Sequence, residues 1–159
     1  MVSGSTTLNG GVAQFNNNAT FGSGVLTSNG GAIEATGNGL TLANLLTLGT
    51  GGLTVQGAST GLNLSGVISG AAGVSKAGTG ELILSGTNTF QGGTTLNAGT
   101  LTLGNAAALG TGALTVAGAS TLQSNAALTT SNAIALNANL TVDGVNPLTL
   151  AGCQRWFRV

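Results

Sequence analysis

Six residues carry all the side-chain charge in this 159-residue sequence: Glu34, Glu81 and Asp143 against Lys76, Arg155 and Arg158. Hydrolysis of a glycosidic bond by two carboxyl groups needs them roughly 5 to 9.5 Å apart. Glu34 and Glu81 stand 47 residues apart, and Glu81 and Asp143 stand 62 apart, so only a repetitive fold could align them. No His is present, which leaves every Ser, Thr and Cys without its usual activating base. The lone Cys153 has neither a second Cys for a disulfide nor a His to share a metal. A Ca²⁺ coil would need several Asp per turn, and Asp143 is the sole Asp. Gly78-Thr79-Gly80 and Gly110-Thr111-Gly112 are Gly-rich, yet neither continues as a nucleotide-binding fingerprint, so both read as turns. The expectation is a non-enzymatic protein with no catalytic, cofactor-binding or metal-binding residue.

Charge also limits the partners. Residues 1–152 hold one cation and three anions, a net charge of 1 − 3 = −2, and no basic patch. Phosphate neutralisation and attraction to an anionic membrane both require clustered Lys and Arg, so nucleic acid and lipid surfaces are excluded as partners. No window approaches the roughly 18 apolar residues of a membrane helix, and no basic residue precedes an apolar stretch at the start. The chain is thus expected to lack a signal peptide and an anchor, and to be an internal piece of a longer exported protein. Apolar content of 42% and a mean hydropathy of +0.41 argue for a folded protein over a solvated coil.

The elements that would position any site come from a short recurring unit. Leu40-Thr41-Leu42, Leu46-Thr47-Leu48, Leu53-Thr54-Val55, Leu101-Thr102-Leu103, Leu114-Thr115-Val116, Leu140-Thr141-Val142 and Leu148-Thr149-Leu150 alternate with period two, the signature of a half-buried strand. Gly, Asn and Ser between the units stop each strand after a few residues. Starting points at 62, 82, 101 and 122, at 74, 95, 114 and 134, and at 90, 109, 128 and 148 form three interleaved series of one period. Three strands per coil of about 20 residues predict an all-β parallel β-helix over residues 1–152, with Leu, Val, Ile and Phe inside and Thr, Asn and Ser outside. The segment 49–60 recurs at 110–121, an offset of 61 residues that equals three coils. A sandwich would show strands every 8 to 12 residues without the longer period.

Gly78 to Asn105, G-T-G-E-L-I-L-S-G-T-N-T-F-Q-G-G-T-T-L-N-A-G-T-L-T-L-G-N, closely resembles the passenger-associated repeat of bacterial autotransporters. Residues 64–78 resemble the linker that the family places before each unit, and 49–152 read as looser copies. The resemblance implies a right-handed parallel β-helix in the secreted passenger of an outer-membrane protein, displayed at the cell surface, and by itself no activity. It makes Phe90 the family's interior aromatic. Gly92 and Gly93 are expected to turn a corner with positive φ, and Lys76 and Glu81 to form an exposed ion pair that serves solubility.

Residues 153–159 are an atypical tail, holding the only Trp, the only Cys and both Arg. If Gly152 to Arg158 are encoded GGT TGT CAG CGG TGG TTT CGG, one base onward reads Val-Val-Ser-Gly-Gly-Phe-Gly, which aligns with Val67 to Gly73. A frameshift near Ala151 in a longer reading frame is the resulting hypothesis, and the nucleotide sequence tests it. The alternative is a tail that caps the last coil.

Three function classes compete. A structural or adhesive surface rod leads, with host-surface or glycan ligands reached through the parent protein, and with self-association through exposed coil ends as a hazard. A polysaccharide-active β-helix enzyme is set against it by the carboxylate spacing. An ice-binding Thr array would use Thr47, Thr54, Thr102, Thr115, Thr141 and Thr149, but the same outward place holds Asn63, Ile83 and Ala135 elsewhere.

Overall fold

The computed structural model describes residues 4–152. All its regular structure is strand, each three to five residues long apart from Thr41–Leu42, and every pairing is parallel between one coil and the next. About seven coils of roughly 20 residues stack into a β-solenoid, with strands that rise by about 4.8 Å per coil.

Three faces run along the stack. The first contains Thr6–Leu8, Leu26–Ser28, Leu46–Leu48 and Ile68–Gly70, and resumes after a gap with Leu128–Thr130 paired to Leu148–Leu150. The second is continuous over seven strands, from Val12–Phe15 through Ala32–Ala35, Leu53–Gln56, Val74–Lys76, Thr94–Leu96 and Leu114–Val116 to Ile134–Leu136. Six strands form the third: Thr41–Leu42, Leu62–Leu64, Glu81–Leu84, Thr100–Leu103, Ser120–Ser124 and Leu140–Val142.

Register converts the sequence alternation into columns. Leu62, Leu82, Leu101 and Leu122 are partners in successive coils, as the spacing predicts, and all are buried. In the second series the partner of Val74 and Leu114 is Thr94, one residue before the expected Thr95. Thr94 faces inward with its hydroxyl unpartnered, while Thr95 faces out. The 61-residue duplication is realised as three steps, Leu53 to Val74 to Thr94 to Leu114. Leucine and valine columns of this kind form one elongated core, in which each coil buries its apolar edge only against its neighbours.

The third predicted series departs most from expectation. The strands expected at 90 and 109 are absent, although Phe90 and Leu109 do point into the core, at 0% and 1% exposure. Buried Asn88 explains the gap. Its Oδ1 accepts from Ile68 N at 2.9 Å and its Nδ2 donates to Ala108 O at 2.7 Å, so an amide side chain takes the place of a backbone rung. Asn105 holds the next turn, donating to Ser85 O and Gly86 O and accepting from Ala107 N.

The Gly92–Gly93 corner is half as expected. Gly93 has φ +79°, and a Cβ there would stand 2.4 Å from Ala113 O. Gly92 has no positive φ; it is required because a Cβ would meet Ala72 C at 2.4 Å. Close stacking of corners therefore demands both glycines for different reasons.

Candidate functional site

The outward columns are the chemistry this fold presents. On the first face Thr7, Thr27, Thr47 and Ser69 align; on the second Thr54, Ser75, Thr95 and Thr115; on the third Thr41, Asn63, Ile83, Thr102 and Gln123. Of the six threonines expected outside, Thr47, Thr141 and Thr149 are exposed and Thr54 and Thr115 half-buried. Thr102 is a correction: it sits in an outward column yet is 4% exposed. Glu81 and Gln123 cover it, with Thr102 Oγ1 donating to Glu81 Oε1 at 2.6 Å and Gln123 Nε2 donating to the same oxygen at 3.2 Å. Alternation tells inside from outside, but long neighbours in the adjoining coils decide exposure.

The three carboxylates sit in different local settings. Glu34 lies on the second face between Gln14 and Gln56, whose Nε2 atoms donate to its Oε2 at 3.1 and 3.3 Å. Glu81 begins a strand of the third face. Asp143 follows a strand of that face three coils on, a rise of about 14 Å, and its Oδ1 accepts from Gly144 N in a turn. Each carboxylate serves as an acceptor for local amide or hydroxyl donors, and Glu81 and Asp143 are held three coils apart. Among the described residues no cluster of three or more acidic, Cys or His groups could hold a metal, and no helix is long and apolar enough to cross a membrane.

Lys76 overturns its expected role as one half of an exposed ion pair with Glu81. It occupies the inward column Val55, Lys76, Leu96, Val116 and is 2% exposed. The ammonium donates to Gly78 O beneath the corner that joins the second and third faces. One coil on, Gly99 has φ +73°, and a Cβ there would stand 2.8 Å from Lys76 Nζ and 2.5 Å from each of Gly78 O and Gly80 O. Burial lowers the ammonium from 10.5 to about 8. The signal was present in the sequence: in Val74-Ser75-Lys76, period two puts Lys76 on the same side as Val74.

Beside the second face a shallow groove of about 360 Å³ runs over three coils, floored by Gly52, Gly73 and Gly93 and edged by Thr54, Ser75 and Thr95. No charged residue lines it. Such a surface can exchange neutral hydrogen bonds.

Residues 74–103 match the family described as Passenger-associated-transport-repeat. This protein contains an autotransporter passenger repeat. The repeat includes the strand Val74–Lys76 and so begins four residues before the Gly78 expected from the motif. The sequence is similar to the Adhesin BmaC autotransporter of Brucella suis biovar 1 (strain 1330), 39% identical over 75 residues, which is 46% of this chain and 2% of that protein. This chain thus spans a very small part of the curated relative it matches. No solved structure matches it. The tail at 153–159, with the proposed frameshift or cap, lies outside the described residues.

Proposed function

We propose that this chain is a non-catalytic rod segment of a surface-displayed autotransporter passenger, and that its hydroxyl and amide columns contribute to adhesion. The observation that carries the reading is the passenger repeat at 74–103 set within continuous parallel ladders, whose outward columns are almost free of charge. The similar Brucella protein is named an adhesin. Glu34 and Glu81 engaged by amide and hydroxyl donors of adjoining coils, with Asp143 about 14 Å of coil rise from Glu81, favour this reading over a polysaccharide hydrolase. Interruption of the third-face column by Ile83 and Gln123 speaks against a flat ice-ordering array. The proposed ligands are neutral, hydroxyl-rich glycans or host-surface proteins, reached as part of the longer parent outside the cell; nucleic acid and insertion of this segment into a membrane are not part of the reading. Self-association belongs to the same proposal, because Val12 near one end and Leu136 and Val142 near the other are exposed beside strand edges.

The test is binding of the full-length protein to immobilised neutral glycans and host-cell surfaces, run beside a reducing-end assay on the same polysaccharides. Salt-insensitive binding with no release of reducing ends is expected. Release of reducing ends that disappears in Glu81→Gln would overturn the non-catalytic reading, and absence of binding to every surface would reduce the segment to a spacer.

A further inference from the structure

The corner between the first and second faces carries two stacked Asn-Gly pairs, Asn9-Gly10 and Asn29-Gly30, and a third pair, Asn38-Gly39, lies elsewhere in the coil. All three asparagines are exposed. We propose that Asn9 and Asn29 are sites of spontaneous self-modification to aspartate and isoaspartate, while the fold protects Asn38.

The reaction needs the peptide nitrogen of the following residue to reach the amide carbon Cγ of Asn. Glycine permits this approach because it puts no Cβ in the way. At Asn29 the Gly30 nitrogen bonds to Cγ as the Cγ–Nδ2 bond breaks, and Nδ2 leaves as ammonia with the proton of the peptide nitrogen. Solvent water then adds across either C–N bond of the cyclic imide, giving aspartate by one opening and isoaspartate by the other.

The three pairs differ in how tightly these atoms are held. Gly39 N donates to Thr60 O at 2.8 Å, and Asn38 Oδ1 accepts from Thr60 N at 2.9 Å, so both the attacking nitrogen and the attacked amide are clamped by one residue of the next coil. Gly10 N and Gly30 N donate no hydrogen bond among the described residues. Asn29 Nδ2 donates to Asn9 Oδ1 at 2.8 Å, so these side-chain amides are held much as that of Asn38 is, and the pairs differ at the attacking nitrogen: only Gly39 N has a hydrogen bond that must break before attack. One coil on, a Cβ at Gly49 would stand 2.0 Å from Asn29 Oδ1, so the absence of a side chain there is what accommodates the Asn29 amide.

The product changes the corner. A carboxylate at 29 cannot donate to Asn9 Oδ1, and isoaspartate inserts one more backbone carbon between Leu26–Ser28 and Ala32–Ala35, whose partners are the two strands of the first coil. Modification therefore loosens the first coil as the molecule ages.

Glu34 and Glu81 make the experiment simple, because cleavage after Glu yields 1–34 with Asn9 and Asn29, and 35–81 with Asn38. The folded full-length protein is aged at mildly alkaline pH and each fragment is followed for the amide-to-acid mass increment, with the same protein in denaturant as the reference. In denaturant all three pairs should convert at similar rates. In the folded protein conversion in 35–81 should fall at least about tenfold behind 1–34, the factor expected if one net hydrogen bond must be broken first. Asn29→Gln should reduce conversion in 1–34 to that of Asn9 alone, since ring closure through a longer side chain is slow. Equal rates in the two fragments of the folded protein would overturn the proposal, as would an unchanged 1–34 after the denatured protein has converted.

Discussion

Replacing Lys76 by Met should stabilise the solenoid. Lys76 stacks between Val55 and Leu96 in an inward column, and among the described residues its ammonium donates only to Gly78 O. The fall from 10.5 to about 8 corresponds to about 3 kcal/mol of penalty for keeping the ammonium charged in the folded state at neutral pH. Met has a similar length and volume without the charge; it forfeits the bond to Gly78 O, worth about 1 to 2 kcal/mol, so the net gain should be about 1 to 2 kcal/mol. The folded-state value lies below the unfolded one, so unfolding takes up a proton between them. Stability carries the full penalty below about pH 8, rises as pH climbs from about 8 toward 10.5, and levels off above. Little else titrates in that window, because Lys76 is the only Lys and Tyr is absent; Cys153→Ser removes the thiol as a competing group. Urea unfolding followed by far-ultraviolet circular dichroism at pH 7 and at pH 10, for the parent protein and Lys76→Met, gives four stabilities. The parent should gain about 2 kcal/mol or more between the two pH values and the variant should gain almost nothing. A Lys76→Met variant less stable than the parent at pH 7, or a parent whose stability falls toward pH 10, would refute the placement of a desolvated ammonium in the core.

Other substitutions probe the break in the first face. Asn88→Ala strips an acceptor from Ile68 N and a donor from Ala108 O, both buried, and should cost about 2 to 4 kcal/mol in the same unfolding assay; Asn88→Asp, which retains the acceptor and loses the donor, should recover none of it at neutral pH. Gly93→Ala combines φ +79° with a Cβ 2.4 Å from Ala113 O and should cost at least about 2 kcal/mol, whereas Gly4→Ala, with nothing within 4 Å, should change stability by under about 0.5 kcal/mol.

How much could be read in advance follows from the range of each rule. Alternation within three residues placed Leu62, Leu82, Leu101 and Leu122 in the core, and the period of about 20 joined them into one column, because strand parity and coil length are both written along the sequence. Phe90 was legible from its place in the period and from the resemblance to the passenger repeat, without a strand to carry it. The expectation for Lys76 failed because the habit that a charge faces water was set above parity, although parity alone points it inward beside Val74. Asn88 could not have been told from any other turn asparagine. Its two bonds go to residues 20 away in each direction, and only stacking brings a free Ile68 N and a free Ala108 O to either side of it. Exposure of Thr102 depended likewise on Glu81 and Gln123, each one coil removed.

Neighbouring residues and a fixed period were enough to set the coil, its strand lengths, its inward apolar columns and the passenger repeat. Stacking alone decided which carbonyls crowd Gly92 and Gly93, where the ladder yields to Asn88, how the lysine is desolvated and which Asn-Gly pair is clamped. In a solenoid every residue meets its decisive neighbours about twenty positions away, and a corner that looks like an interchangeable turn in one coil acquires its chemistry from the backbone of the next.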